Sequence, residues 1–394
     1  MTVKKRMLFY PAAALMLSAM TVSAAGTDAG LLRDWLLARP DISVDDPAAA
    51  DRDQNGVLNA CDLTLLKRDA IGRAQTAHTV DVNDIEGLFT AMRGAEPGDV
   101  IRVAPGTYDY TRYQGAQKID TKAAGTAEAP ITLTAADPED PPVLTGTAPE
   151  NGYVLHIQGD YWIIENLDVT NAQKGIVFDH SSHSVIRNCR IFTTGAEAVA
   201  LRDGSSFCTV ERCSIHDTGL VSPGYGEGVY VGSAKSTTGF DYKCDHNRIL
   251  YCTFRNIAAE DIDVKEYTTG TEIAHCTFYG DGMTGENYAG SFVDIAGNSC
   301  SVHDNTGYRN KNPKIVAAFE IHEQAEGWGH QNSFRNNTVY LDRPYGEPDP
   351  NRKMYVVDGW FTEITADGNR ADFGSGLADV PEDYYNVKAV HAPV

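Results

Sequence analysis

A six-residue hydrophobic phrase returns seven times between Ile164 and Val339, and it restricts the chain to architectures that stack like on like. The copies are Ile164-Glu-Asn-Leu-Asp-Val169, Ile186-Arg-Asn-Cys-Arg-Ile191, Val210-Glu-Arg-Cys-Ser-Ile215, Ile249-Leu-Tyr-Cys-Thr-Phe254, Ile273-Ala-His-Cys-Thr-Phe278, Val302-His-Asp-Asn-Thr-Gly307 and Phe334-Arg-Asn-Asn-Thr-Val339. One position forms a column of Leu167, Cys189, Cys213, Cys252, Cys276, Asn305 and Asn337, with successive members 22 to 39 residues apart. Strand-like pieces at that period, with Gly-rich turns and no helical spacing, predict an all-β coiled solenoid, the parallel β-helix. A propeller needs repeats of about 40 residues with four strands each, and these are too short and too uneven. The Cys and Asn column is then an interior ladder.

Lys4, Lys5 and Arg6 precede an apolar run from Met7 to Met20 and the small residues Val22-Ser23-Ala24, the pattern of a secretory leader over residues 1–25. The run is too short for a membrane span, so a secreted, extracellular protein without membrane anchoring is expected. The sequence has 54 acidic and 33 basic residues, a net charge of -21, which excludes nucleic acid as a natural partner. Eight cysteines in an exported chain suggest disulfides. Four of them fall in the ladder, however, and are expected reduced and buried, whereas a bridge among Cys208, Cys244 and Cys300 stays open.

Before the solenoid, Asp51, Asp53, Asn55, Val57 (through its carbonyl), Asn59 and Asp62 supply oxygen at positions 1, 3, 5, 7, 9 and 12 of a loop with Gly56 at its sharp turn. An amphipathic helix, Leu63 to Arg68, follows. This stretch resembles the EF-hand-like calcium loop and helix of dockerins. The resemblance implies Ca²⁺ in that loop and a cohesin-bearing scaffold as partner, within a module spanning 26–72. Residues 73–79 read as a linker, and 80–394 as the β-helix domain.

Val80 to Arg93 carries apolar residues at helix-like spacing, and the run Pro97 to Tyr108 follows. A cap is physically needed, because an open first coil exposes apolar side chains and unpaired strand edge. In the central coils, Gly228 to Gly232, Asp261 to Lys265, Phe292 to Ala296 and Ala318 to His322 alternate in polarity. Strand side chains alternate faces, so Tyr230, Asp263, Asp294 and Glu320 should form one outward column, with Lys265 and His322 beside it. Carboxylates stacked one rung apart, about 4.8 Å, repel one another unless a cation lies among them. Asp261 and Glu227 add further oxygen donors, so a second Ca²⁺ site is expected from Asp261, Asp263, Asp294, Glu320 and Glu227.

Cap, solenoid and acidic column together resemble the secreted polysaccharide lyases of the pectate lyase type, which are right-handed parallel β-helices with an N-terminal helical cap. The resemblance implies β-elimination on a uronic-acid polymer, pectate or pectin first, by a monomer working on acidic plant-cell-wall polysaccharide. It also implies Ca²⁺ as electrophile, Lys265 as base with His322 in reserve, and Tyr230, Glu266 and Trp328 on the substrate. Two other readings are a β-helix that only binds polysaccharide and a glycoside hydrolase, each attached to a scaffold.

Overall fold

The computed structural model describes residue 58, residues 78–342 and 364–380, and the strands Tyr355–Asp358 and Val387–Lys388. The leader, the dockerin-like loop from Asp51 to Asp62 apart from Leu58, and the linker before His78 lie outside the described residues.

Each coil lays down three short strands, and equivalent strands of successive coils pair in parallel into sheets of 11, 10 and 11 strands. The first sheet runs from Thr79–Val82 to Ile364–Asp367 and the second from Thr107–Asp109 to Leu377–Asp379. The third, ten-stranded sheet runs from Lys118–Thr121 to Val387–Lys388. Among the described residues one pairing is antiparallel, Arg370–Asp372 against Leu377–Asp379. No described helix is long and apolar enough to cross a membrane.

The seven-fold phrase spans the corner between the first and second sheets. Its third residue (Asn166, Asn188, Arg212, Tyr251, His275, Asp304, Asn336) has φ between 52° and 58° in every copy. A single left-handed residue bends the strand and aims the next side chain inward. That next side chain is the ladder. Asn305 and Asn337 donate to the amide oxygens of Asn337 and Asn369 at 3.0 and 2.9 Å, continuing the column one coil further. The Cys189, Cys213, Cys252 and Cys276 thiols are buried and directed at backbone carbonyls of the preceding coil. All seven described cysteines are free, Cys208, Cys244 and Cys300 included.

At the N-terminal end the helix α1, Ile85–Arg93, seats Leu88, Phe89 and Met92 over the first coil. The Asp84 side chain caps it by accepting from the Gly87 N–H at 2.7 Å. The helical spacing read from Val80 onward begins later than expected. Thr79–Val82 is a strand paired with Val100–Val103, because its backbone completes the edge of the first sheet.

Candidate active site on the third sheet

In the third sheet Tyr230 pairs with Asp263, Asp263 with Asp294, and Asp294 with Glu320, so the four share one outward column on consecutive rungs. Their strand neighbours Val229 and Val231, Ile262 and Val264, Val293 and Ile295, and Phe319 and Ile321 are buried in the core. Core packing therefore sets which side chains stand on the outer face of the sheet.

The carboxylate cluster itself consists of Glu227, Glu260 and Asp263. One oxygen from each lies within 4.8 Å of the others, and all three side chains are buried. Glu260 is absent from the sequence-based set, yet it carried a signal. Glu197-Ala-Val199, Glu227-Gly-Val229 and Glu260-Asp-Ile262 repeat a glutamate two residues before each strand, in register on successive coils. Burial first, then Asp263 and Glu197, push the Glu227 carboxyl up to about 8. Burial and the neighbours Asp263, Asp294 and Glu227 hold Glu260 well above the ordinary value. Burial likewise raises Asp263, Lys265 opposes it, and the balance stands at about 6. Glu227 Oε2 is buried with no hydrogen-bond partner. An all-oxygen donor set, whose burial and mutual repulsion a cation would relieve, and an orphaned lone pair fit a hard divalent cation.

Lys265 borders this cluster, with Nζ 2.5 Å from Asp263 Oδ2 and 5.4 Å from the centre of the Tyr230 ring. Burial favours its neutral amine, but Asp263, Tyr230 and Asp294 outweigh burial and hold the ammonium form well above the usual range. Tyr230 accepts from the Ala234 N–H at 3.2 Å, and burial and Asp263 raise its phenol. His322 lies one column over from Asp294, with Nε2 3.3 Å from Asp294 Oδ1.

Other expected residues stand elsewhere. Strict alternation turns Asp261 outward with Asp263, but the structure turns it inward. Its equivalents one coil either side are Gly228 and Phe292, Phe292 stacks on core Phe278 at 5.7 Å, and Asp261 bears on the interior thiol of Cys276. Burial alone raises its carboxyl, with no other carboxylate contributing. The cause is the corner: Ala198 and Val199, Phe292 and Val293, and Ala318 and Phe319 are likewise consecutive buried pairs. The Glu320 carboxylate lies against Gly290, where an added Cβ would meet it at 3.3 Å, rather than in the metal-ligand group. Glu266 is buried, and its Oε1 accepts from the Lys235 N–H at 2.6 Å, which braces the loop after Val231. Trp328 stands edge-on to Tyr267 at 5.5 Å, in an aromatic group with Tyr242 on the loops beyond Lys265.

Toward the N-terminal end, the same face carries a network that sequence reasoning missed. His156 sits between Lys118 Nζ, 2.7 Å from Nδ1, and Asp179, 2.8 Å from Nε2. Arg202 grips both Asp179 oxygens at 3.0 and 2.9 Å. Burial would raise the Asp179 carboxyl, but His156 and Arg202 override it and hold it at about 2. Nearby, Lys174 pairs with Glu197. The charges alternate in sign along this stretch, which composition cannot reveal.

Fold and face together define a β-helical protein akin to the polysaccharide lyases. A family model described as "Pel9A-like, right handed beta helix region" matches residues 71–287, and the chain belongs to that family. It is 28% identical over 135 residues to pectate lyase L of Dickeya chrysanthemi, covering 32% of this chain and 31% of that protein. The chain thus spans about a third of that curated relative's length. Among solved structures, an alginate lyase from Paenibacillus sp. str. FPU-7 is 38% identical with a TM-score of 0.69, covering 75% of this chain and 95% of its own. Pectate lyase Pel9A superposes with a TM-score of 0.51 at 18% identity, covering 77% of this chain and 82% of its own, a likeness of fold alone.

Proposed function

We propose that this chain is a polysaccharide lyase that cleaves a uronic-acid polymer by β-elimination on the third sheet. The carrying observation is Lys265 set between Tyr230 and Asp263 at the border of the buried Glu227, Glu260 and Asp263 cluster. Those three carboxylates would hold Ca²⁺, which, when bound, supplies a Lewis acid for the substrate carboxylate and so acidifies the neighbouring C5 proton.

Lys265 is the base. It is protonated because Asp263 and Asp294 face it; with Asp263 engaged elsewhere, burial favours the free amine that takes the C5 proton. The C5–H electron pair becomes the C4–C5 double bond, and the C4–O4 bond breaks. Tyr230, whose phenol keeps its proton beside Lys265, donates to the departing O4. His322 is close enough to Asp294 to serve as an alternative proton carrier.

For the substrate, the 38% identity to an alginate lyase across nearly all of that chain favours alginate. Pectate is the second reading, supported by the Pel9A-like family and pectate lyase L. Export, action as a monomer and scaffold attachment through the Asp51 to Asp62 loop are part of the same proposal.

The test is incubation with alginate, polygalacturonate, pectin and chondroitin, with and without chelator. Ultraviolet absorbance of an unsaturated product on one of them, lost with chelator, supports the reading. New reducing ends without absorbance would make the protein a hydrolase, and retention on polymer without cleavage would make it a binder.

A further inference from the structure

We propose a second metal site, for a first-row divalent ion such as Zn²⁺, at the corner between the first and second sheets, built by His275, His303 and Asp304. One ligand atom from each lies within 4.8 Å of the others. Two consecutive coils supply them. Ala274 pairs with His303, so the next residues, His275 and Asp304, stack on adjacent rungs of the left-handed corner column. The His275 N–H donates to the His303 carbonyl at 3.3 Å, tying the two rungs together at the site.

The hydrogen bonding of His303 points to a cation. A neutral imidazole offers one N–H and one lone pair. His156, on the opposite side of the fold, meets one carboxylate and one ammonium, so a neutral ring satisfies both. His303 instead meets a carboxylate on each nitrogen, with Nδ1 2.7 Å from Asp304 Oδ2 and Nε2 3.2 Å from Glu272 Oε1. One nitrogen must therefore turn a lone pair on an anion unless positive charge is supplied there, by a second proton or by a metal ion. Placing the N–H on Nε2, toward Glu272, gives the carboxylate–histidine–metal pattern, in which the outer carboxylate fixes the tautomer. Nδ1 of His303, His275 and Asp304 then converge, and water takes the fourth position.

Glu272 is itself anchored by Arg248 Nε at 2.7 Å, so the outer carboxylate is held in place. Two imidazoles and a carboxylate select Zn²⁺ or Co²⁺ over Ca²⁺, which prefers oxygen throughout. The ion would staple one coil to the next, away from the acidic column of the third sheet.

The experiment is a Co²⁺ and Zn²⁺ titration of the full chain, free of any histidine tag, in excess Ca²⁺ to occupy the oxygen-donor sites. The expected result is one equivalent bound, with tetrahedral Co²⁺ absorption and a raised Tm. His275→Ala, at an exposed corner, should weaken binding at least tenfold, and Glu272→Gln by about 10–100-fold. The lyase rate on polymer should be unchanged in both variants. Absence of binding in excess Ca²⁺, or equal affinity in wild type and His275→Ala, overturns the site.

Discussion

Two stretches of one outward face, separated by a few rungs of about 4.8 Å, handle buried charge in opposite ways. Around Asp179 the carboxylate is met by Arg202 and His156, with Lys118 bonded to the far side of the His156 ring, and the carboxyl is held at about 2. Around Glu227 three carboxylates share a single ammonium, and the carboxyls stand at about 8 for Glu227 and about 6 for Asp263. The first stretch is finished as folded, whereas the second is short of positive charge. Strained electrostatics of that kind is expected where a ligand completes the site, and the contrast supports the proposed site without reference to any relative.

The contrast can be broken most severely at Lys265. Lys265→Ala should lower the rate of unsaturated product formation by about 10²–10⁴-fold, with the far-ultraviolet dichroism of the β-helix unchanged. A rate within a few-fold of wild type would remove Lys265 from the reaction. Next in size is Asp179→Asn, expected to cost about 2 kcal/mol near neutral pH in urea unfolding. The native pKa is depressed from 3.8 to about 2, so this contribution is present above the unfolded value and disappears as pH falls through about 2. Wild type and variant should therefore converge in acid.

Glu227→Gln should do the reverse and raise stability in chelator by about 1–2 kcal/mol. The Glu227 pKa is raised in the fold, so the stabilising effect of its protonated form is complete below 4.5 and lost as pH rises through about 8. Wild type without metal should weaken across that window more than the variant, in which Asp263 and Glu260 still titrate from raised values, and the Tm gain on adding Ca²⁺ should shrink in the variant. Smallest is Glu320→Gln, whose carboxylate lies against Gly290; Ca²⁺ affinity by calorimetry should stay within about twofold, a change worth less than 0.5 kcal/mol.

Much of this was legible in advance because a parallel solenoid converts sequence period into spatial register. The phrase from Ile164 to Val169 and its copies gave the coils, the Cys and Asn column gave the inside, and period-two alternation gave Tyr230, Asp263, Asp294 and Glu320 as one column. Alternation fails at corners, where two consecutive residues both turn inward, so the rule assigns Asp261 to the wrong side. The same corner hid Glu260, since its relation to Glu227 appears only when coils of unequal length are aligned by their strands. His156, Asp179 and Arg202 are far apart in sequence and carry no repeated pattern, so only the folded chain reveals them as a network.

At the corner between the first and second sheets, the left-handed residue bends the backbone in all seven copies of the phrase while its side chain stays on the outside. In this chain it has been filled by Asn, Arg, Tyr, His and Asp in turn, and Arg212, Tyr251 and His275 lie face to face at 5.0 and 4.7 Å along it. The edge is therefore a rail of interchangeable fittings. Substitutions there can install a stacked ring, a cation or a metal ligand at fixed intervals while the packed interior goes unaltered, so new surface properties can arise on this scaffold with little cost to its folding.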